Sequence, residues 1–194
     1  DSSYSVIGDF RVNEKMNWKS DGVGFGQRTT LGDVLSDSTF YITGLDEGKA
    51  SSRMLGSRIF GALRSPNFII DKDFIGVRAK GIKSSIRIIV DNFQLISFPI
   101  FGGLDQKVDT FIWKNYIFDV TLWKGHKAYI EILPGSFNRH VYFLPKEAFV
   151  EVQYATAYDG TWIIPPLPVG QKQITPKTAI ENWSNFNASA EEVG

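Results

Sequence analysis

Two neighbouring stretches decide the fold: Thr110-Phe-Ile-Trp-Lys-Asn-Tyr-Ile-Phe-Asp-Val120 and His126-Lys-Ala-Tyr-Ile-Glu-Ile-Leu133. Both are rich in aromatic and β-branched residues, and the short link between them ends in Gly125, which predicts two strands and a tight connection. Residues of the second stretch alternate between an apolar face (Ala128, Ile130, Ile132) and a polar-tipped face (Lys127, Tyr129, Glu131). This alternation predicts a sheet that buries one face against a second layer.

Further segments of the same character surround these two stretches. Strands are predicted at residues 6–13, 39–43, 74–79, 85–91, 93–100, 140–144 and 148–156, and in two pieces of 59–70 that Pro66 separates. Gly81 is expected to end the strand that begins at Phe74, and polar or glycine-rich loops are predicted at residues 44–58, 102–109 and 134–139. Many short strands with almost no helical periodicity predict an all-β fold, an antiparallel β-sandwich.

The character of the chain changes at Tyr158. The segment Ile163-Ile-Pro-Pro-Leu-Pro168 is stiffened by proline and predicted to be extended. Thr175-Pro176 predicts the start of a short helix in which Ile180 and Trp183 share a face. We therefore divide the chain into a β-sandwich module at residues 1–157 and a proline-rich linker with a short helical tail at residues 158–194.

Composition excludes several classes of function. The 194 residues carry 21 basic and 21 acidic side chains, so the broad basic surface of a nucleic-acid-binding protein is not expected. The absence of cysteine excludes disulfides, thiolate metal sites and covalently attached haem within this chain, and two histidines exclude a histidine-rich metal site. No apolar run approaches membrane-spanning length, and no signal peptide is visible at the start. The chain is expected to be either a mature protein or an excised domain, and its polar ends favour the second.

The glycine-rich stretch Asp21-Gly-Val-Gly-Phe-Gly26 invites comparison with a phosphate-binding loop. It lacks the Lys-Ser/Thr ending of such a loop and any convincing following helix. We interpret it as a turn in which the backbone passes close to neighbouring strands.

A succession of short motifs resembles one protein family. The motifs are Leu63-Arg64-Ser65-Pro66-x-Phe68, Arg87-Ile-Ile-Val-Asp91, Phe101-Gly-Gly-Leu104, Trp113 and Gly125-His-Lys-Ala-Tyr-Ile-Glu131. In this order they resemble a module of the large Planctomycetes-type cytochrome c proteins, itself similar to carbohydrate-binding sandwiches. The resemblance implies a jelly-roll or galactose-binding-like sandwich in a periplasmic or extracellular protein, with other domains of the parent protein as partners.

Two departures from that family limit what carries over. No Cys-x-x-Cys-His haem motif is present, so redox activity does not carry over to this chain. The closing strand reads Phe149-Val-Glu-Val-Gln153, where relatives have Val-Asp-Asp/Glu-Ile. Ligand or ion contacts made by those acids in relatives therefore do not carry over.

Sugar-binding sandwiches stack pyranose rings on exposed aromatic side chains and bind hydroxyl groups with polar ones. On this basis the predicted ligand-binding residues are Trp123, Trp113, Tyr129, Gln106, Asp109, Arg139 and His140. Trp123 leads this set because it lies in the short link before Gly125. The alternatives are a place in the core for each tryptophan and an ordinary solvated loop for the polar residues.

We predict a non-catalytic carbohydrate-binding module that anchors a larger exported protein to a polysaccharide or oligosaccharide. One alternative is a structural interaction domain that packs against other modules of its parent, with residues 165–183 as a docking tail. The other is a glycan-active enzyme in which Glu131 and Glu151 form a carboxylate pair, unless both point to solvent. No cofactor is expected in this chain, although a structural calcium ion could use oxygens of Asp9 or Glu151.

Overall fold

The computed structural model describes residues 3–11, 17–26, 29, 34–36, 38–39, 41–45, 47–56, 58–92, 103–138 and 141–166. Its strands are β1 (Tyr4–Asp9), β2 (Lys19–Gly22), β3 (Val34–Ser36), β4 (Ile42–Leu45), β5 (Ala50–Ser51), β6 (Gly61–Arg64), β7 (Phe68–Ile69), β8 (Phe74–Val90), β9 (Asp105–Asp119), β10 (Lys127–Pro134), β11 (Ser136–Asn138), β12 (Val141–Phe143) and β13 (Phe149–Tyr158). A 3-10 turn at Thr121–Trp123 joins β9 to β10. Over these ranges, no helix has the length and apolar character that a membrane crossing requires.

Strand β8, with 17 residues, organises the main sheet. Strand β9 pairs antiparallel with it along one edge, from Asp119 opposite Phe74 to Asp105 opposite Arg87. The other edge is divided: β13 pairs with residues 74–82 and β10 pairs with residues 84–90. The two stretches that decide the fold are therefore separate strands on opposite edges of β8.

Strand β8 bends between the regions that pair with β13 and β10. The register with β9 shifts on both sides of Gly81, and Lys83 has a φ of 47°. A Cβ atom on Gly81 would lie 2.3 Å from the carbonyl oxygen of Phe149, so this position requires glycine. Asp109 Oδ1 accepts the backbone N–H of Lys83 at 3.2 Å and holds the bend. Such bulges bend a strand and increase its twist.

The bend folds the sheet into two leaves. We call leaf A the strands β1, β5, β13 and the first half of β8, and leaf B the strands β2, β6, β7, β10 and the second half of β8; β9 runs along both. Gln106 Nε2 donates to the Ile117 carbonyl oxygen at 2.6 Å, although 11 residues separate them in β9. A straight strand of that length would span about 36 Å, so β9 doubles back with β8 and the leaves face each other.

One hydrophobic core lies between the leaves. Its buried side chains include Ile75, Val77, Ala79, Val150 and Val152 from leaf A and Ile86, Ile88, Ala128, Ile130 and Ile132 from leaf B. Each large aliphatic side chain buried in this way contributes about 1.5–3 kcal/mol relative to exposure. The predicted apolar face of β10 is confirmed, as is the all-β antiparallel sandwich.

Several sequence predictions need correction. Strand β8 does not end at Gly81, because main-chain pairing continues on both sides of the bend. Residues 105–109 are strand rather than loop, since their polar side chains lie on a solvent-facing strand that still pairs with β8. Strands β5 and β11 lie within the predicted loops at 44–58 and 134–139. The strand predicted at 93–100 and the helix predicted from Thr175 lie outside the described residues.

Two local predictions are confirmed. Pro66 separates β6 from β7, because proline has no backbone N–H to donate to a neighbouring strand. The glycine-rich turn brings main chains together: a Cβ atom on Gly24 would lie 2.7 Å from the Ile59 carbonyl oxygen, and one on Gly61 would lie 2.6 Å from the Gly24 nitrogen. Close backbone approach is therefore the reason for glycine at both positions.

Residues 159–166 pack back onto the outer face of leaf A. Trp162 lies directly over Gly76, where a Cβ atom would fall 1.2 Å from the indole ring. The same indole contacts Tyr154 and Tyr158, with ring centroids 6.0 and 5.4 Å away. Arg11 Nη2 donates to the Pro165 carbonyl oxygen at 2.6 Å. This terminal strap therefore covers part of leaf A.

Candidate functional site

A row of five charged side chains crosses the outer face of leaf B. Strand register places Lys19, Arg64, Glu131, Arg87 and Asp105 side by side on β2, β6, β10, β8 and β9. Glu131 accepts from Arg64 Nε at 2.8 Å and from Arg87 Nη1 at 3.1 Å. Arg87 Nε lies 3.6 Å from Asp105 Oδ2. Opposite charges on directly paired strands attract in this way, and they fix the side chains across the sheet.

The centre of the row is buried. Glu131 is 3 % exposed and Arg87 is 6 % exposed, so each needs its partner to offset desolvation. Burial by itself lowers the pKa of Arg64, but the hydrogen bond and charge of Glu131 outweigh it, and the pKa is raised above its usual value. Burial raises the pKa of Asp105, and the nearby charge of Arg87 opposes that effect. Arg64 therefore stays charged and is held in one orientation.

A cavity of about 720 Å³ opens on this face beside Arg64. It is lined by Asn17, Lys19, Ser20, Asp21, Arg64, Ser65, Pro66, Asn67, Asn92 and Tyr129. Tyr129 is 8 % exposed, so a small part of its ring forms the aromatic portion of the wall. Arg64 joins the row to the cavity, because its Nη2 also lies 3.4 Å from Asp21 Oδ2. The lining thus combines one aromatic ring with amide, hydroxyl and charged groups.

Local backbone features position the cavity rim. Ser65 Oγ accepts the N–H of Ile130 at 2.9 Å and donates to the Pro66 carbonyl oxygen at 2.8 Å, which fixes the break between β6 and β7. Asn17 and Asn92 have φ values of 63° and 62°. Asparagine tolerates this left-handed conformation better than most residues with a side chain. The tight turns therefore place two side-chain amides at the cavity.

The structure brings one of the predicted ligand residues, Tyr129, to this cavity. Trp123 is partly buried against the core, and its ring meets His126 edge-on with centroids 5.9 Å apart. Trp113 lies on β9, with Lys80 Nζ 4.6 Å from its ring centroid. Neither tryptophan lines the cavity.

The predicted polar ligand residues are also dispersed. Gln106 and Asp109 lie on strand β9 rather than on a loop, and their side chains hold the two halves of β9 and the bend of β8. Arg139 and His140 lie outside the described residues. Ligand contact by any of these four side chains stays a prediction.

Sequence reasoning missed most of the cavity lining, including Asn17, Asp21, Arg64, Asn67 and Asn92. Two signals were available. The motif Leu63-Arg-Ser-Pro66 supplies one wall, and the Asp91-Asn92 turn supplies another. The pairing of β2 with β6, which adds Lys19 and Asp21, cannot be deduced from local patterns.

The two candidate catalytic carboxylates lie on different leaves. Glu131 belongs to the charged row of leaf B, whereas Glu151 alternates with core residues on β13 and faces outward from leaf A. Glu151 contacts Arg53 at 3.0 Å, Lys80 at 3.3 Å and Lys49 at 3.7 Å. Both carboxylates are buried in ion pairs, which corrects the alternative that they point freely to solvent. They do not form a pair across one cleft.

Within the described ranges, no three histidine, aspartate or glutamate side chains lie together as a metal site would require. No protein-family model and no curated protein matches the chain. Among solved structures, the chain is similar to a point mutant of CBM29-2, a family 29 carbohydrate-binding module. The TM-score is 0.40 at 11 % identity, over 86 % of this chain and 100 % of that one. Membership of the Planctomycetes-type family stays a prediction.

Proposed function

We propose that this chain is a non-catalytic carbohydrate-binding module that anchors a larger exported protein to a polysaccharide. The observation that carries the proposal is the cavity on leaf B, with Tyr129 as its aromatic surface and polar side chains around it. Its volume of about 720 Å³ falls within the range of about 300–1,000 Å³ that is usual for small-molecule sites.

The lining suits the chemistry of a sugar. The C–H face of a pyranose ring packs against an aromatic ring, so Tyr129 supplies the apolar contact. Sugar hydroxyls both donate and accept, and the amides of Asn17, Asn67 and Asn92 also do both. Arg64 adds donors and Asp21 adds acceptors, so several hydroxyls can be bound at once.

The same residues favour recognition over catalysis. Glu131 accepts hydrogen bonds from two guanidinium groups and is almost fully buried. Both of its carboxylate oxygens are therefore engaged by arginine side chains rather than turned toward a substrate. The proposal also includes an exported location and a structural calcium ion.

The test is a glycan array and affinity-gel screen of the whole chain, including algal and bacterial polysaccharides. Tyr129→Leu and Asn67→Ala should each weaken binding about tenfold, equivalent to about 1.4 kcal/mol. Tyr158→Leu is the matched control, because Tyr158 is also a buried tyrosine, 2 % exposed against 8 % for Tyr129, but lies on leaf A. Circular dichroism and thermal unfolding establish that each variant is folded.

Three results would redirect or overturn the proposal. Binding that is lost only with Trp123→Ala would keep the function and move its site to the link before β10. Equal losses with Tyr129→Leu and Tyr158→Leu, together with unchanged binding by Asn67→Ala, would remove the cavity as the site. A folded chain that binds no glycan would overturn the carbohydrate-binding function.

A second candidate is a structural interaction domain within a multi-domain protein. It is favoured by Phe111 and Ile112, which are 73 % and 76 % exposed next to each other on β9. The ring of Phe111 also contacts the buried ring of Phe149, with ring centroids 5.9 Å apart. Adjacent exposed apolar side chains of this size are typical of contact surfaces.

A further inference from the structure

The charged row on leaf B contains one pairing that is unfavourable as it stands. Four members alternate in sign from Arg64 to Asp105, but Lys19 lies directly opposite Arg64. Directly paired residues on antiparallel strands are cross-strand neighbours, and like charges directly opposite each other are destabilising. Both side chains line the cavity, so the repulsion is located at its wall.

Neighbouring groups compensate one of these two cations more than the other. The buried Glu131 accepts a hydrogen bond from Arg64 Nε, and the exposed Asp21 forms an ion pair with Arg64 Nη2. Among the described residues, no carboxylate lies within ion-pair distance of Lys19. With Asp21 included, three cations and three carboxylates lie along this face, and the carboxylates contact Arg64 and Arg87. The charge that stays uncompensated is therefore that of Lys19, at the cavity.

We propose that the cavity takes an acidic saccharide, whose carboxylate or sulfate group lies between Lys19 Nζ and the guanidinium group of Arg64. This inference rests on the proposed function and names its ligand class. The hydrogen bond to Glu131 uses Arg64 Nε, and Asp21 Oδ2 lies 3.4 Å from Nη2. The N–H groups of Nη1 and the second N–H of Nη2 are left for the ligand. The planar guanidinium fork matches carboxylate and sulfate oxygens, and Lys19 adds a second charge.

Asp21 is expected to oppose the binding of an acidic ligand. Its side chain is 55 % exposed and lies beside Arg64, so its negative charge repels an acidic ligand and competes for the guanidinium group. Removal of the Asp21 charge should therefore strengthen binding of an acidic saccharide, whereas removal of the Lys19 charge should weaken it. Neutral saccharides should respond less than acidic ones to either change, because only hydrogen bonds to their hydroxyl groups are affected.

The experiment compares ligands that differ in charge alone. Polygalacturonate is titrated against its methyl ester, and a sulfated galactan against its desulfated form, with the whole chain at about 20 mM and about 200 mM salt. Lys19→Met should weaken binding of the acidic form about tenfold, the effect of one charge-assisted hydrogen bond. Asp21→Asn should strengthen it about threefold, as expected for an exposed charge. The two ligand pairs distinguish carboxylate from sulfate.

Lys146→Met is the matched control, because Lys146 is an exposed lysine outside the cavity lining. An equal loss with Lys146→Met would show general charge attraction and would overturn the site. Equal affinity for acidic and neutral forms, unchanged by Lys19→Met, would overturn the acidic ligand and leave the carbohydrate-binding function standing. Failure of the folded chain to bind any saccharide would overturn the proposed function itself.

Discussion

The pKa values of two carboxyl groups on this molecule are shifted in opposite directions by their surroundings. Asp91 follows β8, and a hydrogen bond of 2.6 Å between its Oδ2 and His126 Nδ1 is the main reason that its pKa is lowered. Asp105 begins β9, and burial is the main reason that its pKa is raised. The charged form is therefore favoured by folding at Asp91 and disfavoured at Asp105.

These shifts predict opposite pH dependences of stability. Asp91 contributes stability above its ordinary pKa, and this contribution is lost as the pH falls through its lowered folded-state value. Asp105 acts with the other sign: stability is lost as the pH rises from about 3.8 through its raised folded-state value. The measurement is urea unfolding of the parent chain, Asp91→Asn and Asp105→Asn between about pH 2.5 and about pH 7.

As the pH rises through the acid range, the stability advantage of the parent chain over Asp91→Asn should grow. Its advantage over Asp105→Asn should shrink over the same range. Asparagine cannot titrate and tolerates the positive φ of 50° at position 91, so each variant removes one titration with little backbone strain. If the stability difference between the parent chain and each variant changed with pH in the same direction for both variants, the opposite pKa shifts of Asp91 and Asp105 would be contradicted.

At the scale of elements, the bent pair β8 and β9 holds the two leaves together. Each strand continues from one leaf to the other, so a single hairpin-like pair supplies an edge to both. The bend depends on Gly81, on the left-handed conformation of Lys83 and on the Asp109 side chain. Polar residues of β9 such as Asp109 therefore stabilise the bend, a role that the surrounding sequence does not indicate.

Lys83→Gly should stabilise the protein by up to about 1 kcal/mol, because a lysine with positive φ is strained and glycine is not. The ion pair lost between Lys83 and Glu147 is exposed and contributes little. Lys107→Gly is the control, because Lys107 is an exposed strand residue without a positive φ and should lose about 1 kcal/mol. Urea unfolding measures the free energy of unfolding of both variants. A greater loss of that free energy with Lys83→Gly than with Lys107→Gly would show that the backbone at Lys83 is not strained.

At the scale of the whole molecule, the two outer faces differ. The terminal strap at residues 159–166 covers part of leaf A, with Trp162 packed over Gly76 and Arg11 bound to Pro165. Leaf B instead carries the cavity beside its charged row. This asymmetry supports the proposal that a ligand binds on leaf B.

A chain that ends after residue 160 should be less stable than one that ends after residue 166, by about 2 kcal/mol, since it loses a partly buried tryptophan. Gly76→Ala should destabilise the longer chain by about 1–3 kcal/mol through overpacking against Trp162. The same substitution in the shorter chain should have little effect, because nothing is left to clash. Equal effects of Gly76→Ala in both chains, measured by urea unfolding, would show that Trp162 does not pack there.

Local patterns in the sequence by themselves determined the strand character of β10 and of β9 from Thr110 onward. They also determined the buried face of β10, the break at Pro66 and the close turn at Gly24. The sequence also identified Tyr129 as a candidate, as one of the aromatic side chains on which a sugar ring could stack. These features depend on residues near one another in the chain, where alternation and turn chemistry act directly.

Only the tertiary structure decided that β8 continues through its bend, that β9 and β10 lie on opposite edges of it, and that Lys19, Arg64, Glu131, Arg87 and Asp105 form one row. It also decided that Gln106 and Asp109 hold the bend while Asn67 and Asn92 line the cavity. The physical reason is register: which residues of distant strands lie side by side is set by packing of the whole core, and no local period encodes it.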